Sequence, residues 1–209
     1  MIEYVSLQIR RNRGWPWPES SFGLDPMYGE DGWCHSCGVP RHNQTGTLIL
    51  QRKGLTPNGA WVPNWLFDVF CVERSLGIEI EKNFRIELRD VGWPATPPGD
   101  ASQVLVPIVG PEWFAPAELA TRALARNRFA GNTCPECGVW KWSPLPFDRL
   151  PPFKRPIGLD DFDIASSPEW FGVGLKAYRE VVVRRELAEK LVNASPRDFQ
   201  VAEIDWEIE

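Results

Sequence analysis

Two five-residue motifs of identical grammar, Cys34-His35-Ser36-Cys37-Gly38 and Cys134-Pro135-Glu136-Cys137-Gly138, constrain this chain more than any other feature. In a Cys-x-x-Cys turn the two-residue spacer lets both sulfurs face one ion at about 2.3 Å, and the following glycine accepts the positive φ of so tight a turn. One copy is a weak signal, because redox motifs share it. Two copies, each ending in glycine, supply the four thiolates of a tetrahedral all-cysteine site. Cys34, Cys37, Cys134 and Cys137 are therefore the expected metal ligands and zinc the expected ion, although four thiolates also hold iron. Such a site is closed, so its role is structural and its binding energy is folding energy. His35 inside the first knuckle and His42 just beyond it leave open a variant with three cysteines and one histidine.

The knuckles stand about a hundred residues apart, against the roughly 15–20 of a compact ribbon. The metal must then clasp distant parts of the fold. A chain of 209 residues implies one domain over 1–209, or two closely packed lobes divided near 93–100. With 43% hydrophobic and 24% charged residues the composition is that of a globular protein. The net charge of −5 argues against general affinity for nucleic acid or anionic membrane. Arg10, Arg11 and Arg13 form the obvious basic cluster, read as the solvated end of a first strand, and Glu203, Asp205, Glu207 and Glu209 read as a solvated acidic face.

Five cysteines are an odd number, and the N-terminal residues show neither a basic leader nor a long apolar segment, so a reducing cytoplasm is expected. In that compartment paired Cys-x-x-Cys motifs favour metal over disulfides. Cys71 sits among apolar residues and reads as a small buried side chain. No apolar run approaches the ~20 residues of a membrane helix. Eleven Trp and twenty Pro, often adjacent as in Trp15-Pro16-Trp17-Pro18, suit ordered loops whose aromatic rings extend a core.

The periodicities give an α+β fold, with a mixed or antiparallel sheet, a few short helices and a zinc-ribbon-like clasp of four cysteines. Residues 2–10 read as a strand with Ile2, Tyr4, Leu7 and Ile9 inward, and 45–51 as a second strand. Residues 64–76 fit a short helix ended by Gly77, a strand being the alternative. Phe84, Ile86 and Leu88 alternate with Arg85, Glu87 and Arg89 in a half-buried strand over 84–90, and 93–100 is a loop. Pro116 opens a helix over 117–128 that delivers the chain to the second knuckle. The proline-rich 144–158 reads as an extended surface connector. A strand at 181–183, a helix at 185–193 and a strand within 198–206 close the chain. No internal repeat shows beyond the knuckles.

Motifs for catalysis are missing: there is no phosphate-cradling Gly-rich loop, no His-Glu-x-x-His, and Thr133 precedes Cys134 where a zinc deaminase needs proline. Asp160, Asp161 and Asp163 are candidate acid and base, though clustered acids are ordinary surface. No catalytic or organic-cofactor residue is assigned, and the chain is expected not to be an enzyme.

The knuckle residues Cys34, Cys37, Gly38, Cys134, Cys137 and Gly138, together with Val181-Val182-Val183-Arg184-Arg185-Glu186-Leu187 and Asp198-Phe199-Gln200-Val201, resemble the double-CXXCG motif family, whose characterised members are toxin immunity proteins. The resemblance implies a cytoplasmic zinc protein that binds and neutralises one cognate protein toxin, with Trp and Arg as binding hot spots. The alternative is a zinc ribbon binding nucleic acid or the transcription apparatus through Trp140, Lys141 and Trp142. A metal-free redox enzyme with reactive thiols is the third reading.

Overall fold

The β-branched run that begins at Val181 becomes an inner strand, because both of its faces have a core to enter. The computed structural model describes residues 2–10, 16–52 and 56–207; Arg11, Arg13, Trp15 and Glu209 lie outside the described residues. In the first sheet β1 (Tyr4–Ile9) and β10 (Val181–Arg184) are central, flanked by β11 (Phe199–Glu203) and β8 (Ile164–Ser166), in the antiparallel order β11-β1-β10-β8. Val5, Leu7, Val181 and Val183 face one core, and Tyr4 and Val182 face the other. The expected inward set of β1 thus divides between two sides, as alternation requires when a strand is covered on both. The Tyr4 hydroxyl lies 2.8 Å from Leu159 O and 2.7 Å from Phe162 O, which satisfies its polar end.

A second antiparallel sheet has the order β2-β3-β5-β4, from β2 (Ala60–Trp61), β3 (Phe70–Glu73), β5 (Ala101–Leu105) and β4 (Glu87–Asp90). Helix α2 (Arg74–Asn83) carries the chain from β3 to β4 across the intervening β5. In the first sheet α4 (Arg185–Ala194) likewise carries it from β10 to β11 across β1. Both helices have ten residues and begin directly where a four-residue strand ends. Both bury their third, fourth and seventh residues, Leu76, Gly77 and Ile80 in one and Leu187, Ala188 and Leu191 in the other. This split strand-helix-strand unit is a second repeat, overlooked in the sequence because only Val72/Val183, Arg74/Arg185 and Leu76/Leu187 are identical over the paired segments. Leu76, Ile80, Leu187 and Leu191 meet in one core. Lys190 pairs with Glu79 between the two helices, and Ser195 Oγ accepts the Ala60 N–H at 2.9 Å.

The boundary between β3 and α2 corrects the helix expected over 64–76. Phe70, Cys71 and Val72 pair with β5, and the helix starts only at Arg74. Gly77 lies inside the helix and does not end it: a Cβ there would stand 3.3 Å from Leu88 Cδ1 and 3.4 Å from Val72 Cγ2, so it permits close helix-to-sheet packing. Residues 45–51 do not form a full strand; Leu50 bridges Pro18 and Ile49 bridges Gly92, singly. The strand expected over 84–90 pairs only from Glu87. Residues 93–100 connect β4 to β5, two paired strands of one sheet.

Helix α1 (Leu24–Tyr28) precedes the first knuckle, and α3 (Pro116–Asn127), opened by Pro116, leads toward the second as expected. The third sheet, β6-β7-β9, is mixed: β6 (Gly131–Thr133) pairs antiparallel with β7 (Trp140–Trp142), which pairs parallel with β9 (Trp170–Phe171). The proline-rich 144–158 is not a surface connector. Leu145, Leu150 and Phe153 are buried and build the second core with Trp113, Phe114 and Phe171. Phe114 and Phe153 stand edge-on at 4.6 Å. A buried ring of this size contributes roughly 1.5–3 kcal/mol, which lets a segment whose one regular turn is the 3-10 helix Phe147–Arg149 hold its course. No helix among the described residues is long and apolar enough to cross a membrane.

Candidate metal centre

Each knuckle is the tip of a hairpin. β6 and β7 flank residues 134–138, and the single antiparallel bridge between Trp33 and Pro40 flanks residues 34–38. The turns share their hydrogen bonds: Cys34 N–H to Val39 O and Cys134 N–H to Val139 O, both 2.9 Å, then Gly38 N–H to Cys34 O at 2.8 Å and Gly138 N–H to Cys134 O at 2.9 Å. Gly38 and Gly138 have φ of 77° and 74°, the left-handed conformation the sequence pattern implied.

The two tips meet. Cys34 Sγ and Cys134 Sγ are 3.7 Å apart, Cys37 Sγ and Cys137 Sγ 3.5 Å, and all four sulfurs lie within 4.8 Å of one another. A regular tetrahedron with metal–sulfur bonds of about 2.3 Å has sulfur–sulfur edges of about 3.8 Å, so the donor set fits one ion. A disulfide needs about 2.05 Å, and all five cysteines are free. Cys34, Cys37 and Cys134 are buried and Cys137 is half-buried, packed against Val39, Val139, Trp170 and Ala177. Burial pushes the Cys34 and Cys37 thiols up. Cys134 is pulled down to about 7, chiefly by the backbone N–H of Cys137, with Glu136 N–H and neighbouring thiols assisting. Backbone amides aimed at sulfur are what a thiolate ligand requires.

Polar side chains join the tips from outside. Ser36 Oγ donates to Glu136, each being the third residue of its knuckle, and Arg41 Nη2 lies 3.3 Å from Glu136 Oε1. The Ser36 hydroxyl holds the Glu136 carboxyl below its usual range. The two histidines stay out of the sulfur group. His35 stacks on Trp33 at 4.1 Å with Nε2 2.7 Å from Glu30 O, and His42 Nδ1 lies 2.8 Å from Asn43 O.

Lys141 overturns its expected role as an exposed nucleic-acid contact. It is 1% exposed, and its Nζ lies 2.8 Å from Cys37 O, 2.5 Å from Gly174 O and 3.3 Å from Lys176 O. Hydropathy alone cannot reveal a lysine that turns inward to meet carbonyls. Cys71 is fully buried within β3, and burial pushes its thiol up. Asp163 is a structural anchor: it accepts Arg85 N–H at 2.6 Å and faces Arg184 at 3.3 Å, whereas Asp160 pairs with Arg155 at 2.5 Å.

Sequence reasoning also missed a cleft of about 870 Å³ whose lining includes Tyr28, Asp68, Arg89, Gln103, Ile164 and Arg179. Burial raises the Asp68 carboxyl to about 6, and the Arg179 guanidinium lies 3.9 Å over the Trp170 ring. No protein-family model matches the chain, and no curated protein matches it significantly.

Proposed function

We propose that the protein is a non-catalytic zinc protein that binds and neutralises a cognate protein toxin in a reducing cytoplasm. The observation that carries the metal reading is the set of four sulfurs from two hairpin tips at tetrahedral spacing. Cys34, Cys37, Cys134 and Cys137 would hold the ion, which would supply a structural cross-link and, with its four protein ligands, no open position for chemistry. A binder of this kind needs a shaped surface and no reactive side chain of its own.

The inhibitor reading is supported by the likeness of the knuckles and of the segment from Val181 to Val201 to the double-CXXCG motif family. The net charge of −5 suits a basic partner and faster encounter with it. The burial of Lys141 removes the basic residue that a nucleic-acid-binding ribbon would have used.

Elemental analysis of freshly purified, reduced protein is expected to give one zinc per chain; no stoichiometric metal refutes the clasp, and iron corrects the ion. For the partner, the product of an adjacent reading frame is co-expressed with this chain. Protection of the cells and a stable complex are expected, and growth arrest despite abundant folded protein refutes the inhibitor reading.

A further inference from the structure

Lys141 leaves β7 four residues after Cys137, the last ligand of the second knuckle, and reaches across to the first. Its three hydrogen bonds run to the carbonyls of Cys37, Gly174 and Lys176. Three acceptors around one nitrogen need three N–H donors, which an ammonium has and a neutral amine lacks. Among the described residues Lys141 forms no ion pair with a carboxylate. A buried ammonium without an opposing charge is costly. Burial pulls the Lys141 ammonium below its ordinary range and the four sulfurs act against that; they are the opposing charge available, since four thiolates around a divalent ion carry a net charge of −2.

The same side chain is also a mechanical link. The loop between β9 and β10 lies directly on the first knuckle, where a Cβ on Gly38 would fall 2.0 Å from Leu175 O. Lys141 bonds the main chain on both sides of that contact, at Cys37 and at Gly174 and Lys176. We propose that Lys141 is the positioning residue of the metal centre: its ammonium locks both knuckles and the 174–176 loop together and supplies the positive charge that lets a tetrathiolate–metal dianion stay buried. This rests on the metal reading above. Groups outside the ligand set that fix or compensate ligands change metal affinity about 10- to 100-fold.

The test compares the full chain with Lys141→Met, which removes charge and donors at similar length, and Lys141→Gln, which removes charge but keeps two N–H donors. Zinc affinity is read by chelator competition. Cobalt substituted for zinc reports the thiolate-to-cobalt charge-transfer band. Both variants should keep a tetrahedral cobalt spectrum and lose zinc affinity about 10- to 100-fold. Their charge-transfer band should move to longer wavelength, because sulfurs without a nearby cation give up electrons more easily. If Lys141→Met does not fold, Lys141→Gln carries the comparison. Wild-type affinity in the variants overturns the proposal, and weaker binding with an unmoved band reduces Lys141 to packing and overturns its charge role. A wild-type chain that takes up neither metal refutes the clasp itself, a different outcome.

Discussion

The two knuckle glycines occupy the same place in the motif and almost the same φ, yet their surroundings differ. A Cβ on Gly138 would meet nothing within 4 Å, whereas one on Gly38 would strike the Leu175 carbonyl oxygen, part of a backbone that cannot swing aside. Gly138→Ala should therefore cost about 1–2 kcal/mol, the strain of a left-handed alanine. Gly38→Ala should cost on the order of 3–5 kcal/mol, because the 174–176 loop must also move. Chemical denaturation of both metal-loaded variants measures the difference, and equal costs would show that the loop yields freely. The motif announced the turn at both places. Only the fold shows which copy has a second segment resting on it, since that contact comes from residues far along the chain.

The repeated strand-helix-strand unit makes a comparable claim about elements. Leu76 on α2 and Leu187 on α4 hold equivalent positions and enter the same core. Leu76→Ala and Leu187→Ala should each destabilise by about 2–5 kcal/mol in urea titrations. A loss below about 1 kcal/mol at either would mean that its helix is not anchored there. The later unit was legible because Val181-Val182-Val183 is unambiguous β-branched sequence and Leu187 and Leu191 keep a helical interval. The earlier unit was misjudged because Leu66, Val69, Phe70 and Val72 fall at intervals a helix also allows, so that the strand was read into the helix behind it and Gly77 resembled a terminator. The buried 145–153 segment was misplaced for a different reason: its prolines leave it without a strand or α-helix, apart from one 3-10 turn at Phe147–Arg149, but such backbone is not always exposed, and Leu145, Leu150 and Phe153 had a second core to fill.

At the scale of the molecule, the cleft was invisible in the sequence because its lining is gathered from segments as distant as Tyr28 and Arg179. Beside it, burial pushes the Glu180 carboxyl up to about 8, with the Asp68 charge adding to the effect. Below the carboxyl's ordinary value of 4.5, Glu180 is protonated in the folded and unfolded chains alike and costs nothing. As pH climbs from there toward 8 the unfolded chain releases the proton first, so the folded chain loses stability, and the loss is complete above that point. Glu180→Gln should therefore match wild type near about pH 4.5 and exceed it at about pH 9 by about 1–3 kcal/mol, allowing for partial exposure. Paired melts across that range check this, and a gain that does not vary with pH would exclude the buried acid as its source. Strand β1 lies between β10 and β11, so its hydrogen-bonding partners are synthesised almost two hundred residues later. During translation β1 must wait, edges open, for β10 and β11 to emerge. The clasp between the hairpin tips can close earlier, once Cys137 has emerged, so a captured ion would hold the nascent halves in register until the final strand completes the sheet.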